Sequence, residues 1–205
     1  MKEDTTRIEA FSDGVFAIAI TLLILEVRLQ HVGSAGRLST ALFALWPYYF
    51  AFALSFFVIL VTWMAHHQLW RLVRGTSRSV QLANGCALFY VTFIPFPTAV
   101  LAANLGGAEA QTAVAFYCGT FALGSAAFNL LVEMIARSHL FRPEVDVRTV
   151  GRIRRGYRIT FVFYVSATLL ALVAPYVALA LTIGVRLFLL SIRYQPAPVA
   201  PAAVS

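Results

Sequence analysis

The chain has 205 residues, 60% of them hydrophobic, with only 16 basic and 9 acidic side chains. Charged residues make up 12%, against about a quarter in a soluble domain, so there is too little charge to clothe a globule in water; disorder and collagen-like repetition are excluded as well. The net charge of +7 is not a nucleic-acid footprint, because the basic residues fall in loops between apolar runs and not on one exposed face.

A bilayer core about 30 Å thick needs about 20 apolar helical residues. In chain order, Gly14 to Leu25 is uncharged and lengthens past Asp13 and Glu26; Leu38 to Ala65, Ser79 to Ala108 and Ala110 to Val132 are each long enough to span. The last apolar stretch, Ile159 to Ile192, carries only Arg186 and has Pro175 near its middle. A single straight helix over it would reach about 50 Å, so a helical hairpin is predicted. The expected fold is therefore all-α, with six membrane spans. Pro47, Pro95 and Pro97 are predicted to kink the second and third of these.

Basic residues test this count, because they accumulate on the cytoplasmic side. With the amino terminus inside, the inner segments hold Lys2, Arg7, Arg71, Arg74, Arg78, Arg137, Arg142, Arg148, Arg152, Arg154, Arg155, Arg158 and Arg193. The outer segments hold only Arg28 and Arg37. Both termini are thus expected in the cytoplasm. The start shows no small-x-small cleavage site, so the first span is expected to be retained. Thr6-x-x-Glu9 has the form of a capping box. Residues 1–193 form the predicted transmembrane unit, and 194–205, with Pro196, Pro198 and Pro201, a disordered cytoplasmic tail. The Arg-rich segment from Arg142 to Arg158 is expected to orient the chain and meet anionic lipid. Glu133 and Arg137, four apart, form an expected intrahelical pair. Cys86 and Cys118 both lie in apolar runs, which argues against a disulfide framework or a zinc site. His31, His67 and His139 lie near span ends in no grouping that suits a metal.

Polar residues within a span are costly and mark function. Asp13 stands near the inner end of the first span, at the level of Arg7, Ser12, His66 and Asn84. A network of Asp13 with Ser12, His66 and Asn84, closed by Arg7, would satisfy these groups together and lock three helices. The plainer reading of Asp13 is an interfacial carboxylate favoured by the helix dipole. At 100° per residue, Gly14, Ile18, Thr21 and Leu25 share one face, Leu22 flanks it, and Asp13 lies about 100° away. Such a stripe usually meets lipid or another helix.

The run Arg7-Ile-Glu-Ala-Phe11-Ser12-Asp13 and the residues after it resemble the R-x-x-x-F-S-D signature of the transmembrane protein 175 family of potassium channels, bacterial branch. Trp63-Met-Ala-His66 with Leu69-Trp70, Leu82-Ala-Asn84, and Phe93-Ile-Pro95-Phe96 are similar to that family's second and third helices in order and spacing. The later helices match as hydrophobic pattern only. The resemblance implies six-helix subunits in a homotetramer, with the first helices lining a central pore. It makes Ile18 the hydrophobic constriction, Thr21 the layer tied to potassium preference, and Leu22 and Leu25 further apolar rings. Arg7, Ser12, Asp13, Trp63, His66 and Asn84 become the network that holds the pore helix.

The sequence has no T-V-G-Y-G loop from which to build a carbonyl filter, so an apolar ring that gates by dewetting is the expected device. Potassium is the expected permeant ion, with modest preference over sodium; Glu26 is placed at the outer mouth, where it either attracts cations or serves as a solvated helix end. No cofactor, protein-held metal, nucleic-acid partner or enzymatic activity is expected, and the location is the cell membrane, with lipid as neighbour. The rival is a proton-coupled secondary transporter relaying through Asp13 and His66, although such folds usually show paired halves and a midplane site.

Overall fold

The computed structural model describes residues 2–27 and 37–191, with side chains over 5–27 and 37–185. Arg28, His31, Arg193, the Arg186 side chain and the predicted tail from Tyr194 lie outside that description. The described chain is helical: α1 (Lys2–Leu22) ends in a 3-10 turn at Leu23–Glu26, followed by α2 (Leu38–Ala44), α3 (Trp46–Arg71), α4 (Arg78–Phe93), α5 (Pro95–Asn104), α6 (Ala110–Arg137), α7 (Val147–Ala171) and α8 (Pro175–Ser191). Four segments among the described residues are long and apolar enough to cross a membrane: Thr5–Glu26, Trp46–Arg71, Arg78–Asn104 and Ala110–Arg137.

Proline sets the breaks. Pro47 occupies the first turn of α3, just after the break at Leu45, and Pro95 opens α5 after the break at Ile94. At these positions the ring gives up no intrahelical bond that the helix needs. Pro97 falls in the same first turn of α5. The stretch from Ile159 is broken at residues 172–174, and Pro175 begins α8, which is the expected turn between two helices. Thr6 does not cap α1, because the helix already starts at Lys2 and Thr6 lies within it. The Arg-rich segment is likewise partly helical: Asp146 caps α7 by accepting from Thr149 N at 2.6 Å, so Arg148 to Arg158 project from a helix and not from a loop.

α6, about 42 Å long at 1.5 Å per residue, is the central post, packed by α4, α5, α7 and α8. Gly124 is required there, since a Cβ would stand 2.3 Å from the Tyr90 ring of α4. Further down α6, Asn129 donates to Tyr157 O of α7 at 2.9 Å. α1 leans on the outside of this body, against α3 and α4. A buried hydroxyl group of Ser55, Thr98 and Tyr117 joins α3, α5 and α6, with Thr98 donating to Ser55 at 2.7 Å and Ser55 2.8 Å from Tyr117 Oη.

The two loops at the same end as the start of α1 are tied together. Val73 and Phe141 form an antiparallel bridge, and Arg74 Nη2 donates to His139 O at 3.0 Å. His139 ends α6 with φ 52°. The bonds from His139 N to Ala136 O and from Leu140 N to Ile135 O make this end a Schellman motif, in which the left-handed residue usually is glycine. Glu133 pairs with Arg137 at 2.9 Å, as its spacing predicts, and also with Arg154 of α7 at 2.6 Å. Cys86 and Cys118 are both free.

Candidate functional site

The first helix has two opposite faces. Ser12, Phe16, Ala19 and Leu23 are buried, at 0 to 2% exposure; their spacing of four, three and four residues is one helical stripe. On the projection that puts Gly14 at zero, that stripe centres near 170°. Ile18, Thr21, Leu22 and Leu25 lie on the other side and are all exposed in the single chain, Ile18 at 59% and Leu25 at 57%. The core face is thus used up within the subunit, and the stripe singled out by periodicity is left uncovered. Thr21 Oγ1 donates to Ile18 O at 2.9 Å, which leaves the hydroxyl's lone pairs free to accept. Glu26, in the 3-10 turn at the far end, is half-buried.

On the flank of the buried face a polar set ties α1 to α3 and α4. Trp63 Nε1 donates to Asp13 Oδ1 at 2.8 Å. Asn84 Nδ2 donates to Ser12 Oγ at 3.1 Å, and Asn84 Oδ1 stands 2.8 Å from His66 Nε2. Ser12, His66 and Asn84 are all buried, so each bond is made away from water, where leaving a polar group unmatched costs about 1–3 kcal/mol. The Phe16 ring lies 5.3 Å from that of His66 and closes the set from the apolar side.

Three features of this set differ from the expectation, the first being that Asp13 bonds to Trp63 and not to Ser12, His66 or Asn84, which form their own chain of hydrogen bonds. Arg7 does not close it: its side chain is exposed and forms no hydrogen bond or ion pair with the described residues. The reason is angular, since Arg7 projects at about 20°, on the face of Ile18 and Leu25 and away from the core. The place expected of it is taken by Trp70, which sequence reasoning left out of the network and which donates through Nε1 to His66 Nε2 at 2.9 Å. The available signal was spacing, since Trp70 follows His66 by one helical turn. One ring nitrogen cannot both accept from Trp70 and donate to Asn84. With the proton on Nδ1 the ring accepts from Trp70 and the Asn84 amide turns its NH2 inward; with the proton on Nε2 it serves Asn84 and gives up Trp70.

The remaining motif residue, Phe11, is 67% exposed beside the uncovered stripe. The Ser55, Thr98 and Tyr117 group was also missed, because these residues come from three helices and no local spacing links them.

An all-helical chain with several bilayer-length segments and a polar lock at one end of the first defines a multi-span membrane protein. Residues 7–95 match the family model described as "Endosomal/lysosomal potassium channel TMEM175". A potassium channel of Chamaesiphon minutus is 41% identical over 197 residues, covering 94% of each chain, and one of Streptomyces collinus is 38% identical over 179 residues, covering 86% of this chain and 87% of that one. The crystal structure of a lysosomal potassium-selective channel TMEM175 homolog from Chamaesiphon minutus superposes with a TM-score of 0.82 at 38% identity, covering 92% of this chain and 97% of that one. The human endosomal/lysosomal proton channel TMEM175 matches over 97 residues at 39% identity, 43% of this chain and 19% of that one. The chain belongs to the TMEM175 family of ion channels.

Proposed function

We propose that this protein is one subunit of a homotetrameric channel that passes potassium passively across the cell membrane, with six spans per subunit and both termini in the cytoplasm. The observation that carries the reading is the division of α1. Its buried face docks on α3 and α4, while the side chains of Ile18, Thr21, Leu22 and Leu25 lie off that face and are exposed in the single chain. Isolated in lipid, their stripe would be one more apolar surface; around a fourfold axis it becomes the wall of a pore. The names of the Chamaesiphon and Streptomyces relatives support potassium as the permeant ion.

In this arrangement four Ile18 side chains form the constriction and close it by dewetting, and a small dilation admits a hydrated or partly hydrated cation. Thr21, whose hydroxyl is already committed as a donor to Ile18 O, presents oxygen lone pairs to the ion and gives a modest preference for potassium over sodium. Leu22 and Leu25 continue the apolar wall, Glu26 attracts cations at the outer mouth, and Arg7 stands on the pore face at the inner one. Ser12, Asp13, Trp63, His66, Trp70 and Asn84 hold the pore helix at a fixed angle and do not touch the ion.

The test is potassium flux from liposomes holding the purified protein, under imposed gradients of potassium, sodium or protons. Passive, electrogenic potassium flux is expected, and Ile18→Asn raises the resting flux, because a ring of amides stays wet. A flux that requires a proton gradient and saturates at low turnover would favour the transporter relay through Asp13 and His66 instead. Protons are the second permeant ion to measure, since the mammalian relatives are named proton channels.

A further inference from the structure

α7 also carries two opposite faces, and the outer one changes character along its length. Ile153, Tyr164, Ala167 and Ala171 are buried against the body of the protein. Opposite them, at spacings of four, three, four and three residues, run Arg148, Arg152, Arg155, Ile159 and Val162, all exposed. Ile159 and Val162 are each 62% exposed. The stripe is therefore basic for its first two turns and apolar beyond.

The carboxylates near the basic half are largely engaged. Glu133 is held by Arg137 and Arg154, on another side of α7. Asp146, which faces Arg148 and Arg152, is tied to the backbone as the cap of the helix. Arg152 Nη2 donates to Thr149 Oγ1 at 2.9 Å; Arg148 and Arg155 make no hydrogen bond or ion pair with the described residues. Glu144 is exposed in the preceding loop.

Depth turns this stripe into a binding surface. Counted back from Ala171, the 20 helical residues that cross about 30 Å of hydrocarbon reach Arg152. Arg155 then falls within the inner edge of the core, where an unpaired guanidinium is costly and must reach out to a headgroup. The geometry points to this stripe as the docking surface of an anionic phospholipid of the inner leaflet, its phosphate held by Arg148, Arg152 and Arg155 and an acyl chain lying along Ile159 and Val162. A planar guanidinium pairs with two phosphate oxygens at once, which a diffuse positive potential does not require. The inference rests on α7 being a span with its amino end in the cytoplasm, and not on which ion the channel passes.

The experiment is native mass spectrometry of the full-length protein in detergent, with phosphatidylglycerol or phosphatidylcholine of the same acyl chains added. Retention of phosphatidylglycerol over phosphatidylcholine is expected. Arg152→Gln with Arg155→Gln weakens it at least about tenfold, while Arg71→Gln with Arg78→Gln, which removes the same charge elsewhere on the same side, leaves it within about twofold. The spectra also report the oligomer, so loss of lipid is read only on assembled protein. In the unmutated protein, glycerol 3-phosphate does not displace the lipid, since it has no chain to lie on the apolar half. Equal loss from the two pairs, no preference between the lipids, or displacement by glycerol 3-phosphate overturns the proposal. Potassium flux from phosphatidylcholine liposomes reports the channel reading separately.

Discussion

At the scale of single residues, the positions that fix this molecule are those where one atom decides. Gly124 is the plainest, for the Tyr90 ring occupies the space its side chain would need. Tyr90 is itself buried among Phe128 and the α4–α6 contact, so it has little room to retreat. Gly124→Ala is expected to lower stability by about 1–3 kcal/mol, and Tyr90→Leu in the same chain to restore part of the loss; thermal unfolding in detergent measures both. The polar lock shows what residue types alone convey. Asp13, Ser12, His66 and Asn84 were legible because burying such groups demands partners, and three helices meeting at one level supply them. Arg7 and Trp70 were not, for opposite reasons. A charge at the right depth invites pairing even when its angle on the helix forbids it. A tryptophan in an apolar run reads as bulk, although its indole N–H must also find an acceptor.

At the scale of elements, the sequence located helices well and their ends poorly. Pro47, Pro95 and Pro175 mark three breaks because proline belongs in a first turn. By contrast, α7 starts twelve residues before its apolar run, at Val147, because Asp146 caps it and Glu133 anchors Arg154 to α6. Apolar periodicity reports where a helix meets lipid tails or core, and it is silent where a helix continues through a basic stretch at the level of the headgroups. The cap gives a test with a definite sign. Hydrogen bonds from the Thr149 side chain and from Thr149 N hold the Asp146 carboxyl below its ordinary range. A depressed acid contributes stability that is complete above its unfolded-state value and is lost as pH falls through the folded one. Hydrogen exchange in the first turn of α7 is therefore expected to be slow at neutral pH and to gain protection loss from opening as acid protonates the cap, after correction for intrinsic exchange. Asp146→Ala should show the faster, opened behaviour at neutral pH and no such pH step.

At the scale of the whole molecule, the proposed tetramer would close four copies around the exposed face of α1. Asp13→Ala removes the acceptor for Trp63 and loosens the angle at which α1 leaves the body. The expected outcome is a lower fraction of tetramer by native mass spectrometry, with potassium over sodium preference unchanged in the molecules that assemble. A full complement of tetramer with altered ion preference would move Asp13 from the frame of the pore to its wall. Family membership and the helical fold were within reach of the sequence, since the motif around Phe11, Ser12 and Asp13 and the apolar runs are local. The assembly is not local: the stripe of Ile18, Thr21, Leu22 and Leu25 looks the same whether it meets fatty acyl chains or three copies of itself.

The docking of α1 also sets an order of events during synthesis. The first helix leaves the ribosome before either helix it leans on, and the donors it needs lie 50 residues downstream at Trp63 and 72 residues downstream at Asn84. At about 5–20 residues per second, Asp13 and Ser12 wait several seconds in the insertion machinery or at the bilayer edge without their native partners. A carboxylate near the end of the helix, within reach of the headgroups, survives that interval at lower cost than one at the centre would. The position of the lock near one end of the first helix, the cytoplasmic end in the proposed orientation, thus suits a protein whose first helix must be inserted before the rest of its frame has been made.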